Sequence, residues 1–223
     1  AYRSWDDEFD TDFGYHGKIQ FGLSVRDPNV ADASGSNGFE SDNDATGTGN
    51  TPITQPIFSN MTIVGPLAFN STVNNLYRSA LHLRRNTRTS AYNSVFMGYP
   101  KGLFIESTST QTNATNGDLQ WRNNVLAGIS TDTLAATSAA NPNNTNGSFF
   151  IGDANLNNGW FGTAGFNNAN YASISSLMFN NVSLTAPNFT LMAGSPLLTG
   201  ASFSNPNLSN SFFTPTTYRG AFD

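Results

Sequence analysis

The chain has no cysteine. Disulfides, thiol nucleophiles and cysteine-ligated zinc are therefore excluded. Charge is also scarce. Charged residues make up 11% of the 223, the only lysines are Lys18 and Lys101, and the only glutamates are Glu8, Glu40 and Glu106. Long helices thus lack their usual charged formers. Asn, Ser, Thr and Gly are abundant, compete with helical backbone bonding, and favour strands and tight turns. The net charge of −5 leaves no basic surface of the kind that holds nucleic acid. No apolar run reaches the roughly 18 residues of a membrane span, and the chain does not open on a signal-peptide pattern. Disorder is excluded as well, because 13% of the residues are aromatic and 18 are Phe.

What is present is a repeat. Phe58-Ser-Asn-Met61-Thr-Ile63, Tyr92-Asn-Ser-Val95-Phe-Met97 and Phe179-Asn-Asn-Val182-Ser-Leu184 share an aromatic, two polar residues and two spaced aliphatics. Trp121-Arg-Asn-Asn-Val125-Leu-Ala127 repeats the pattern with one residue inserted. The aromatics lie 34, 29 and 58 residues apart, and the skipped step falls at Phe150. A period of about 30 residues indicates a solenoid, in which each repeat buries its apolar face against its neighbours. Asn tolerates left-handed backbone angles and stacks in hydrogen-bonded ladders, so Asn60, Asn93, Asn123–Asn124 and Asn180–Asn181 mark a recurring corner. Together these features predict an all-β fold, a right-handed parallel β-helix of about seven or eight turns by dividing length by repeat. A β-propeller is the main competitor, but its blades need longer repeats with regular hairpins.

Lys18–Val25 alternates apolar and polar residues as a half-buried strand does. Residues 27–56 and 107–118 read as long polar loops, and a loop that long is often functional. A weak helical stretch centres on Leu134–Ala136. The opening Ala1-Tyr-Arg-Ser-Trp5 and the closing Tyr218–Asp223 read like the inside of a longer protein. The expectation is one β-helix domain over 1–223, cut at both ends.

The segment Trp5-Asp-Asp-Glu-Phe-Asp-Thr-Asp-Phe-Gly14 with Gly17-Lys-Ile-Gln20 resembles a hallmark of secreted Bacteroidota surface proteins with a pectin-lyase-like parallel β-helix. Arg26-Asp-Pro-Asn29, Ser36–Asn43, Ala193–Ala201 and Tyr218–Phe222 are similar to the same family. The resemblance implies an extracellular or outer-membrane-surface location. It implies no settled activity, since the wider fold carries lyases, hydrolases, adhesins and phage spikes.

Two acidic groups are candidate metal sites. On a strand, Asp6, Glu8, Asp10 and Asp12 share one face, and a hard cation with oxygen ligands would offset their repulsion. Asp42 and Asp44 open a partial calcium loop, D-x-D-x-T-G, whose closing Glu is replaced by Ile53. Calcium is therefore the cofactor expected, against the alternative of solvated Asp side chains capping turns. Calcium-dependent β-helix lyases pair such a cation with a Lys or Arg base; Lys18 is the candidate here, with Arg84, Arg85 or Arg88 as substitutes. Arg78, Arg84, Arg85 and Arg88 form the one basic cluster, fit for an anionic glycan or phosphate, against the favoured alternative of a solvated face paired with acidic neighbours. Trp121 and Trp160 are candidates for sugar stacking, with core burial as the alternative. His16 and His82 read as isolated structural residues. Asp132-Thr133-Leu134 resembles a Bacteroidota O-glycosylation motif, with Thr133 as the acceptor. The reading favoured is a non-catalytic secreted or cell-surface protein that binds a polysaccharide or joins other surface proteins. The alternative is a calcium-dependent lyase acting on uronate-containing glycans.

Overall fold

The structure, a computed structural model, describes residues 1–129, 149–151 and 160–223. Strands of mostly three residues stack into three sheets. The first sheet runs β1 (Phe9–Thr11), β4 (Phe39–Ser41), β7 (Ser79–Leu83), β10 (Lys101–Ile105) and β13 (Phe149–Ile151). The second runs β11 (Trp121–Arg122), β8 (Ser90–Tyr92), β5 (Ile57–Ser59) and β2 (Lys18–Gln20). The third runs β14 (Ala169–Tyr171), β12 (Val125–Ala127), β9 (Val95–Met97), β6 (Thr62–Val64) and β3 (Leu23–Val25). Pairing is parallel within these sheets, except that β13 lies antiparallel to β10. The chain visits second, third and first sheet in turn, so β2-β3-β4, β5-β6-β7 and β8-β9-β10 are successive coils of a β-solenoid.

The register corrects the alignment of the repeat. Phe58 pairs with Ala91, and Ala91 with Trp121. The equivalent runs are therefore Phe58-Ser-Asn-Met-Thr62, Ala91-Tyr-Asn-Ser-Val95 and Trp121-Arg-Asn-Asn-Val125, with no insertion. Tyr92 faces outward, where it packs with Leu208 and Phe213. The next corner is Phe166-Asn-Asn-Ala169, which carries no obvious aliphatic and is hidden from the repeat pattern. Phe150 belongs to the first sheet and is not the skipped copy. Phe179–Asn181 forms β15, which pairs antiparallel with β16 (Asn188–Leu191) outside the stack. Because residues after Tyr171 leave the stack, the described coils are fewer than seven or eight.

Two segments expected as loops hold structure. Residues 27–56 contain β4, whose Phe39 enters the core at 1% exposure. Residues 107–118 contain α1 (Thr108–Asn116), ended by Gly117 in the left-handed conformation at φ 83°. Its buried Asn113 donates to the carbonyls of Asn86 and Thr87. That anchoring, rather than helix propensity, holds it.

The bore is apolar. Phe9, Phe39, Phe58, Phe96 and Trp121 succeed one another with ring centroids 4.6–5.9 Å apart. The corner between the second and third sheets is left-handed throughout: Phe21 holds it in the first coil at φ 63°, and Asn60, Asn93, Asn123 and Asn167 hold it in the next ones at 53°, 53°, 59° and 54°. Inside it runs a ladder. Ser94 Oγ accepts the Met61 N–H, Asn124 Oδ1 accepts the Ser94 N–H, and Asn168 Oδ1 accepts the Asn124 N–H. The C-terminal segment returns along the outside of this corner, where Asn60, Asn93 and Asn123 donate to the carbonyls of Tyr218, Ser202 and Gly200.

Candidate functional site

The C-terminal segment covers the corner and leaves the outer face of the first sheet in view. Strand alternation puts every second side chain of that sheet outside. The sequences Phe9-Asp-Thr-Asp12, Phe39-Glu-Ser-Asp42 and Leu81-His-Leu-Arg84 are in register, so Asp10, Glu40 and His82 form one column. Asp12, Asp42, Arg84 and Glu106 form the next, one residue beyond the paired positions. Phe104 continues the first column and stacks under the His82 ring, centroids 4.7 Å apart and 15° from parallel.

The charges within this face are mostly paired. Arg84 donates from Nε to Asp42 Oδ1 at 2.8 Å and from Nη2 to Asp42 Oδ2 at 3.2 Å, and it also binds Glu40. Arg85 reaches Asp42 at 2.9 Å. His82 Nε2 lies 2.6 Å from Glu106 Oε2, and its Nδ1 lies 3.7 Å from Glu40. Burial works against the charge on His82, but the hydrogen bonds to Glu106 and Glu40 outweigh it and raise its pKa. Burial likewise opposes the Arg84 charge, and its bonds to Asp42 and Glu40 hold the guanidinium more firmly protonated than usual. Glu40 and Glu106 are lowered, because the His82 hydrogen bond and the nearby cations overcome their own burial. Asp10 is raised by burial and then by the charges of Glu40 and Asp42; Asp12 is raised chiefly by burial.

The residues singled out in the sequence part company here. Glu8 turns inward, with a fully buried side chain 2.9 Å from that of Arg26, which is equally buried. Asp44 caps its own loop, accepting the N–H groups of Thr46 and Thr48 and the Thr48 hydroxyl, which lowers its pKa. Asp42 is committed to two arginines. Calcium takes six to eight oxygens, and this leaves Asp6, Asp10 and Asp12. Among the described residues no group of three or more His, Asp or Glu side chains is placed to hold a metal ion.

Lys18 lies on β2, in the second sheet, away from the acidic columns. Arg88 stands 3.7 Å from Asp118 rather than in the network. Trp121 does not reach a sugar-binding surface. It is 1% exposed, packed between Phe96 and Phe161, because its position alternates into the bore. Trp160 is half-buried, with its indole N–H bound to the Ala114 carbonyl. Thr133 and the Leu134–Ala136 stretch fall outside the described residues. Sequence reasoning read His82 as an isolated structural residue and passed over its partner Glu106. The signal was available in the ionisable residue at every second position of the three strands, which aligns them once the coils are in register.

No helix among the described residues is long and apolar enough to cross a membrane. No curated protein and no solved structure matches the chain. The family model described as a pectate-lyase like beta helix domain matches residues 1–175, which takes in every solenoid strand described and stops before β15. The chain belongs to this β-helix family.

Proposed function

We propose that the chain is a carbohydrate-binding β-helix protein that holds its ligand on the outer face of the first sheet without turning it over. The observation that carries this reading is the state of Arg84. A lyase base must be able to give up its proton before it takes one from the sugar. Arg84 sits between Glu40 and Asp42, which hold its proton on. Lys18, the first candidate base, stands on another sheet, and Arg85 and Arg88 face Asp42 and Asp118. Binding asks for what the face does offer: fixed donors and acceptors in rows about 4.8 Å apart, with charge-assisted hydrogen bonds about twice as strong as neutral ones. Sugar hydroxyls donate to Glu40, Asp42 and Glu106 and accept from Arg84 and Arg85. The hydroxyl-rich partner is a polysaccharide or a cell-surface glycan, and the place of action is outside the cell, in keeping with the resemblance to secreted Bacteroidota surface proteins.

The test is titration calorimetry on a panel of neutral and uronate-containing polysaccharides, run beside an assay for unsaturated sugar ends with and without chelator. Binding is expected to survive chelator, to weaken at least tenfold in Glu40→Gln, and to yield no unsaturated ends. Calcium-dependent product that disappears in Lys18→Ala would overturn this reading and establish the lyase. Stoichiometric co-purification with other surface proteins, without glycan binding, would replace it with an assembly role.

A further inference from the structure

Among the described residues, no strand covers the end of the solenoid that starts with β1. β1 and β2 are the terminal strands of their sheets, and only the outer edge of β3 is met, by Ala1–Arg3. The Phe9 N–H donates to Gly38 and the Thr11 carbonyl accepts from Asp42, so by alternation the Asp10 N–H and carbonyl face away from β4. The aromatic stack of the bore also stops here. Phe9 lies 5.0 Å from Phe39 and 5.9 Å from Phe58, and beyond it is a cavity of about 350 Å³ lined by Phe9, Ile19, Phe58, Asp10, Asp12 and Tyr15. The same terminal segment exposes Trp5, Phe13, Tyr15 and Phe21.

The charge pattern says what fits. Glu40 and Asp42 meet His82 and Arg84 on the next rung. Asp10 and Asp12 stand one rung before them, and among the described residues no ion pair includes either. Their carboxyls are raised by burial and by neighbouring carboxylates, the situation a facing cation would relieve.

We infer that this end docks a further β-coil whose strand against β1 reads apolar-basic-apolar-basic, with its two basic residues in register with Asp10 and Asp12 and an apolar side chain entering the bore beside Phe9. The chain holds its own template for the match: Leu81-His-Leu-Arg84 lies against Phe39-Glu-Ser-Asp42 in this register. A second copy does not fit in either sense: head to head it sets Asp10 and Asp12 against their own counterparts, and like charges directly opposite are destabilising, while head to tail it presents β13, Phe149-Phe-Ile151, which has no basic residue. The partner is a basic strand of a different sequence.

The test fuses a probe strand to Ala1 of the full chain through a flexible Gly/Ser linker, which gives an effective concentration of about millimolar. One probe reads Ser-Ala-Leu-Lys-Leu-Arg and the control Ser-Ala-Leu-Glu-Leu-Glu. The readout is hydrogen exchange of the Asp10 amide, followed by NMR in fusions whose amide spectra retain the dispersion of the unfused chain. The basic probe is expected to slow exchange at least tenfold and the acidic one to leave it unchanged, with the preference reversed in Asp10→Lys/Asp12→Lys. Any other pattern overturns the proposal: no slowing, equal slowing by both probes, or a preference that ignores the charge reversal.

Discussion

The corner between the second and third sheets carries an asparagine at the same place in coil after coil, and the outer face of the first sheet carries a charge at the same place in coil after coil. At the corner the partners are main-chain groups. Asn124 joins the Ser94 N–H to the Ala91 carbonyl, and Asn168 joins the Asn124 N–H to the Trp121 carbonyl. On the first sheet the partners are side chains with their own rotamers, such as Arg84 between Glu40 and Asp42. A ladder built on main chain has one arrangement and is sealed further by the C-terminal segment. A ladder built on side chains can exchange an internal partner for a ligand. The first is suited to holding coils together, and the second to recognition.

Three measurements bear on that contrast. The largest effect is expected at the corner. Asn124→Ala leaves the Ser94 N–H and the Ala91 carbonyl buried without partners, and each orphan costs about 1–3 kcal/mol, so the loss should reach about 3 kcal/mol by urea unfolding. An intermediate effect is expected on the first sheet. Arg84→Met removes the bridge between Glu40 and Asp42, whose side chains are 18% and 8% exposed. The pair is neither on the surface nor deeply buried, so the loss lies between the two limits, at about 1–2 kcal/mol. If Arg84→Met proved costlier than Asn124→Ala, the division of labour between corner and face would be wrong. Glycan affinity sharpens the same contrast, because it should fall in Arg84→Met and hold in a conservative corner variant such as Asn124→Ser.

The solenoid was legible because its cause is local and repeated: short apolar strands, an Asn at each turn, and a period near 30 residues. Exact register was not. Tyr92 and Phe58 look equivalent by type, yet Tyr92 points outward and Ala91 holds the inner position. An aromatic packs as well on the Leu208 and Phe213 side chains of the returning segment as in the bore, and the sequence of one coil does not say which. The same ambiguity misplaced Trp121. The acidic residues were legible as a cluster, but not their partners. Arg26 and Glu8 are 18 residues apart and meet only because the coil closes. Arg84 reaches Glu40 and Asp42 from the next coil, a pairing that no reading along one strand could show.

The smallest effect is the dependence of stability on pH, and it separates the carboxylates that burial raises from those that hydrogen bonds and cations lower. Asp7 accepts the Asn37 N–H and is pushed to about 7, mainly by burial. Glu8 is pushed to about 7 by burial, partly offset by Arg26. Their ordinary values are 3.8 and 4.5. Between those values and 7 the folded chain therefore holds protons that the unfolded chain releases, and stability rises as pH falls through that window. His82 acts in the same direction, because a raised imidazole contributes stability that is lost as pH climbs through its folded value. Glu40, Glu106 and Asp44 act oppositely. Their lowered carboxyls contribute stability above their ordinary values of 4.5, 4.5 and 3.8, and lose it as acid protonates them. The two sets place the optimum on the acid side of neutrality. The thermal midpoint should be higher near pH 5 than near pH 8 by about 4 °C, the shift expected for roughly 1 kcal/mol in a chain of this size. Asp7→Asn should flatten part of that rise by removing one of the protons taken up. A midpoint that instead increased from pH 5 to pH 8 would mean that ion pairing dominates burial even at Asp7, which no ion pair among the described residues includes.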